Sequence, residues 1–257
     1  MTSPENFLAK LHRSLVETGV NPYRASLLAN FVTQCYDVLL SAHHALVQPI
    51  RWQQFCTTPG ATTKRKRATA VPANISETAI TAHLSTEANR LLQERGGVAA
   101  LVPGISIACV IPDHTAPSDV ATGSSSKRPD LVFFPANPTL QLQFAMEAKI
   151  VRLAKDIAND LLGEAGFGCF VRAIDPYETN GVIGLLGYVE PTQIIAMMNE
   201  TKNCMKADER FTEVGEQDLI VNADGLNHRS HTVVGHIAQA GAKVCIANML
   251  AVELTTL

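Results

Sequence analysis

"KRPDLVFFPANPTLQLQFAMEAKI", residues 127–150, is the stretch on which the fold turns. Its second half reads in two ways. Ala, Met, Glu and Lys are good helix formers, and Met146, Ile150, Leu153 and Ile157 fall on one helical face. Against that, residues 140–150 alternate. Leu140, Leu142, Phe144, Met146, Ala148 and Ile150 are apolar; Gln141, Gln143, Glu147 and Lys149 are polar, with small Ala145 between them. A period of two belongs to a strand with one face toward a core. The alternation favours a strand running to Val151, followed by a helix.

The first half, residues 128–134, is a second apolar run and reads as the preceding strand. "PANPTLQ" supplies the turn, since Asn137-Pro138 is a turn signal. A hairpin centred near residue 138 sets Asp130 opposite Glu147. Opposed residues of an antiparallel pair share a face, with Cβ atoms about 5 Å apart. Lys149, two residues beyond Glu147, shares it too. Two carboxylates and an ammonium are thereby gathered on one patch of a strand pair.

Working upstream, Asn74 and Glu77 have the spacing of a capping box, so a helix is predicted from Asn74 to about Gly96. Ile80, Leu84, Ala88 and Leu91 form its apolar face. "GISIACVIP", residues 104–112, reads as a strand, and residues 115–127 read as a loop by composition. Downstream, residues 152–165 read as a helix and "NGVIGLLGYVE", residues 180–190, as a buried strand. "PTQIIAMMNETKNCMK", residues 191–206, reads as a helix opened by proline. "QDLIVN" and "AKVCIANMLAVEL" read as further strand-like segments. From Asn74 the order is helix, three strands, helix, strand, helix: an α/β core with a hairpin in it.

Residues 1–58 read as helices. Ser3-Pro4 is a start signal, Phe7, Leu8, Leu11 and Leu15 make an apolar face, and Gly19 marks a stop. Asn21-Pro22 restarts the pattern, which Leu27, Leu28, Phe31, Val32, Cys35, Val38 and Leu39 continue. Residues 59–74 read as a linker. It carries Lys64-Arg65-Lys66-Arg67, either a solvated run or a phosphate-contacting strip. The organisation read from the chain is a helical appendage (1–58), a linker (59–74) and an α/β domain (75–257).

Hydrophobic residues make up 46% of the 257, enough for a sizeable core and against general disorder. A net charge of −3 argues against a uniformly basic nucleic-acid coat, although a local basic groove depends only on where charges sit. The six cysteines are scattered with no C-x-x-C pair, which favours reduced thiols in a cytoplasmic protein. The first residues lack the regions of a signal peptide, and no apolar run approaches a membrane span of roughly 18 residues.

Two adjacent carboxylates resist ionising together unless a cation compensates them. A hard divalent ion such as Mg²⁺ takes oxygen ligands and binds through one or two carboxylates plus a substrate phosphate. Lys149 is then placed to hold a water or to stabilise charge on the phosphate. Pro129-Asp130 followed across a hairpin by Glu147-Ala148-Lys149 resembles the signature of the PD-(D/E)XK nuclease superfamily, the restriction-endonuclease-like fold. The resemblance covers roughly residues 75–190, including "GFGCFVRAIDPY" and "NGVIGLLGYV". It implies a core of helix, three-strand meander, helix and strand. It implies Mg²⁺- or Mn²⁺-dependent endonuclease hydrolysis of phosphodiester bonds, DNA favoured over RNA, in a setting such as restriction or anti-phage defence. It assigns metal binding to Asp130 and Glu147, water assistance to Lys149, and a third carboxylate to Glu77. For Glu77 the capping role and the metal role compete for one side chain. Residues 1–58 lie outside the resemblance; as partners they suggest a homodimer or a docked protein. The alternative from another class is a non-catalytic nucleic-acid-binding or scaffold subunit on a degenerate nuclease fold.

Other motifs carry less. His228, His231 and His236 have a spacing that can serve a metal, but no cysteine or acid stands beside them at a usual spacing. They read as surface or substrate-facing residues. His43-His44 reads as structural. "GEAGFG" lacks the pattern of a phosphate-binding loop, so ATP and dinucleotide binding are rejected. Arg152, Lys155 and Arg172 are candidates for a nucleic-acid face near the acids.

Overall fold

The computed structural model describes residues 7–63, 74–94, 107–113, 128–172, 176–177, 179–223, 226–237 and 246–253, with the backbone alone for most of 216–253. Three helices come first: α1 (Phe7–Glu17), α2 (Pro22–Leu46) and α3 (Pro49–Thr57). A short ladder of β1 (Thr62–Thr63) and β2 (Asn74–Ile75) leads into α4 (Glu77–Glu94). Then follow β3 (Ile107–Pro112), β4 (Leu131–Pro135) and β5 (Phe144–Ile150). A turn of helix, α5 (Ala154–Asp156), runs into a π-helical segment, Ile157–Leu161. Next are α6 (Gly168–Val171), β6 (Val182–Val189), α7 (Ile194–Ala207), β7 (Phe211–Ala223), β8 (Leu226–Ile237) and β9 (Ile246–Glu253). From α4 to α7 the helix, three strands, helix, strand and helix that were read recur in order, while β2, α6 and β8 were not read.

The main sheet runs β3-β4-β5-β6-β9-β8-β7. Its two ends are antiparallel, and its centre, β5-β6-β9, is parallel. The residues sort cleanly onto two faces. Leu131, Phe133, Phe144, Met146, Ala148, Leu186 and Tyr188 join a core with residues of α1, α2, α3 and α4. Val132, Ala145, Ile183, Leu185 and Val189 join a second core with Ile157, Leu161, Phe167, Met198 and Met205. Helices therefore cover both faces of an α/β sheet, as expected where its centre is parallel. Among the described residues no helix is long and apolar enough to cross a membrane.

Local chemistry sets the ends. The Asn21 side chain accepts from the Tyr23 and Arg24 amides, and Pro22 occupies the first turn of α2. Ser76 caps α4: its carbonyl accepts from the Ile80 amide and its hydroxyl from the Ala79 amide. This corrects the capping box expected from Asn74, which instead pairs with Thr63 in the β1–β2 ladder.

Other expectations shift as well. The strand begins at Phe144, not Leu140, because Pro138–Leu140 is a 3₁₀ turn and Gln141 has φ +48°. Its alternation sorts two covered faces, not core from solvent, since Ala145 and Glu147 are buried beside Phe144 and Met146. The helix expected over 152–165 is shorter. Gly163 to Gly168 instead make a tight backbone turn, where a Cβ at Gly166 would lie 2.2 Å from the Leu161 carbonyl oxygen. The segment with His228, His231 and His236, read only for its histidines, is strand β8; those side chains lie outside the described residues. Outside them too lie Ser3-Pro4, Gly96, Lys64 to Arg67 and the loop 115–127.

Candidate active site

The ladder between β4 and β5 ends at Leu131↔Met146. One step further along that register, Asp130 stands across from Glu147, where the hairpin reading puts it. There β4 gives way to the bend at Asp130, whose carbonyl still accepts from the Asp113 amide. Beyond this point two amides on the β4 side of β5 have no strand partner. Carboxylates take them instead: Ala148 N donates to Asp130 Oδ2 at 2.8 Å, and Ile150 N donates to Glu77 Oε2 at 3.0 Å. On its other side β5 stays paired with β6 as far as Ile150↔Tyr188. The site is thus the carboxyl end of a central parallel strand with one edge laid open, a usual ligand position in α/β sheets.

Glu77 arrives from the first turn of α4, and a polar stripe fixes that helix over the sheet. Four residues along, Thr81 Oγ1 lies 3.0 Å from the Tyr188 hydroxyl. Four further, Ser85 donates to the Val110 carbonyl. Asn89 then accepts from the Val110 amide and donates to its carbonyl. Residues four apart share one side of a helix, so all four point at the sheet. Sequence reasoning missed this stripe. Its signal was present as polar residues at 77, 81, 85 and 89, hidden beside the apolar face at 80, 84, 88 and 91.

The four residues singled out in the sequence, Glu77, Asp130, Glu147 and Lys149, converge. Lys149 Nζ lies 3.2 Å from Glu147 Oε2, 3.3 Å from Glu77 Oε1 and 3.4 Å from Asp130 Oδ2, and donates to the Ala148 carbonyl at 2.9 Å. Glu147 is the buried member, 3% exposed. Burial, and next the neighbouring Asp130, push its carboxyl up to about 9 in spite of Lys149. Burial alone would lower the Lys149 ammonium, but the charges of Asp130, Glu147 and Glu77 outweigh it and hold it well above the usual lysine range.

No family model, curated protein or solved structure matches this chain.

Two further residues border Glu147 that the sequence did not flag. The Tyr177 hydroxyl is raised by burial and then by the charge of Glu147, and the same two causes raise the Cys169 thiol. The Tyr177 amide donates to the Cys169 carbonyl, and the Arg172 guanidinium lies 5.6 Å from the Tyr177 ring centre. Arg172, Arg152 and Lys155 are exposed. Among the described residues no three His, Cys, Asp or Glu side chains are set as a ready metal cage. The carboxylates converge on an ammonium instead. In kind the donor set still suits a hard divalent ion: every donor is oxygen, and three carboxyl groups surround a single ammonium.

Proposed function

We propose that this protein is a divalent-metal-dependent nuclease that hydrolyses phosphodiester bonds, DNA before RNA, on a restriction-endonuclease-like core. One observation carries the reading: an Asp, two Glu and a Lys from three separate elements meet at the open carboxyl end of β5. A salt bridge on an ordinary surface hairpin needs one acid and one base. It does not account for three acids, one of them buried.

Asp130, Glu147 and Glu77 are the residues that would hold the ion. When bound there, Mg²⁺ or Mn²⁺ supplies Lewis-acid polarisation of the phosphate and eases the ionisation of water. The chain supplies the rest. The Ala148 and Ile150 amides fix the Asp130 and Glu77 carboxylates, so neither has to be ordered during the reaction. Lys149 Nζ orients the attacking water or meets charge growing on the phosphate. Glu147 gives up the proton it carries in the cation-free site, and its ionisation completes the oxygen set. Exposed Arg152, Lys155 and Arg172 meet flanking phosphates.

The test is plasmid incubated with Mg²⁺ and the purified protein, beside Asp130→Ala and Lys149→Ala. The wild type is expected to nick or linearise the plasmid, with each variant slower by about 10²-fold or more. No cutting by any of the three would favour a binding or scaffold subunit. Equal cutting by all three would place the chemistry elsewhere.

A further inference from the structure

We infer that Lys149 and the divalent cation are exclusive occupants of one oxygen set, so that cation binding is the event that frees Lys149 for the substrate. This rests on the metal-site reading above. Four oxygens surround the ammonium at 2.9–3.4 Å: Ala148 O, Glu147 Oε2, Glu77 Oε1 and Asp130 Oδ2. An ammonium has three protons to donate. Four acceptors already share them, which leaves none for a water or a phosphate. The side chain is only 14% exposed. So placed, Lys149 is a counter-ion and not yet a catalyst.

Three of the four oxygens belong to the carboxylates that would hold the cation. Mg²⁺ draws such oxygens to about 2.0–2.1 Å and demands a regular shell. An ammonium among the same oxygens would sit against two like charges at a few ångströms, in a half-buried place where screening is weak. The two cations therefore alternate. Without metal, Lys149 holds the three carboxyl groups together. With metal, it must leave Glu147 and Asp130, and its long flexible stem lets the ammonium turn outward.

Other roles for Lys149 predict other outcomes. A lysine acting only on water would also repel the cation, but its reactivity would not rise when the cation binds. A merely structural lysine would, when removed, let the acids splay and weaken metal binding. The exchange model has its removal strengthen metal binding and, beyond that, has the cation itself drive Lys149 out of the oxygen set. The experiment is Mn²⁺ titration followed by electron paramagnetic resonance, on wild type, Lys149→Met, Lys149→Gln and Asp130→Asn. Both lysine variants are expected to bind Mn²⁺ about tenfold tighter or more, as loss of a like charge at this range allows, and Asp130→Asn to bind more weakly. Equal or weaker binding by both lysine variants overturns the inference; weakened binding by Asp130→Asn would then leave the metal reading standing. No Mn²⁺ binding by any of the four overturns both. A second measurement needs no variant. Acetylation of Lys149 by acetic anhydride, read by mass spectrometry, is expected to be several-fold faster with Ca²⁺ than with chelator. Unchanged or slower labelling overturns the inference.

Discussion

Glu147 holds an ionisable group on an interior strand, and that has a consequence for stability against pH. Its folded-state value of about 9 stands above the ordinary 4.5. Between those two values the unfolded chain has released a proton that the folded chain keeps. Stability in chelator therefore falls as pH rises from about 4.5 to about 9, by at most about 1.4 kcal/mol per pH unit, and levels off beyond. Glu147→Gln removes this slope. Urea unfolding in chelator is expected to show the variant gaining on wild type at each step from pH 5 to pH 8; parallel curves would contradict the assignment. Asp130, Glu147 and Lys149 were legible in the sequence because a period of two and one turn signal fix both face and register. Glu77 was placed with them only through the family resemblance, because Asn74 offered it a capping partner at the right spacing. Only the fold shows Ser76 doing the capping and Asn74 paired in a ladder.

At the scale of elements, α4 behaves as a rod pinned at several points. Asn89 holds both the amide and the carbonyl of Val110, far from the acids, while Glu77 holds the Ile150 amide at the near end. Asn89→Ala leaves the Val110 amide without its partner, although Ser85 still donates to the carbonyl, and is expected to cost roughly 1–3 kcal/mol in urea unfolding. It should also weaken Mn²⁺ binding modestly, since Glu77 rides on the same rod. β6 lies against β5 with equal closeness. A Cβ at Gly184 would stand 2.3 Å from Met146 Cγ and 3.1 Å from the Ala145 carbonyl oxygen. Gly184→Ala is expected to destabilise by about 1–3 kcal/mol, seen as a lower melting temperature. The strands around the site were readable as apolar runs bounded by turn residues. β8 was not, because "NHRSHTVVGH" interleaves polar groups that disguise its period, and a histidine spacing drew the reading away.

For the molecule as a whole, α1 and α2 share a core with the sheet. Phe7 and Phe144 each stack edge-on against Tyr36, joining the first helix to the site strand. Leu15, Phe31 and Leu39 are buried in the same cluster as Met146 and Tyr188. Deleting residues 1–58 is expected to yield insoluble or unfolded protein, judged by amide dispersion in a proton–nitrogen NMR spectrum; a well-dispersed, cation-binding fragment would contradict this. The helical character of that region was legible from its spacing, but what it packs on was not, because a helix pattern names a face and not its partner. The strand order holds one more consequence. β9 follows every other strand along the chain, yet it sits between β6 and β8. Without β9, the β3-to-β6 half and the β7–β8 hairpin lack the strand that hydrogen-bonds them into one sheet. Closing the sheet is therefore a non-local event, because one strand must pair on both of its edges at once.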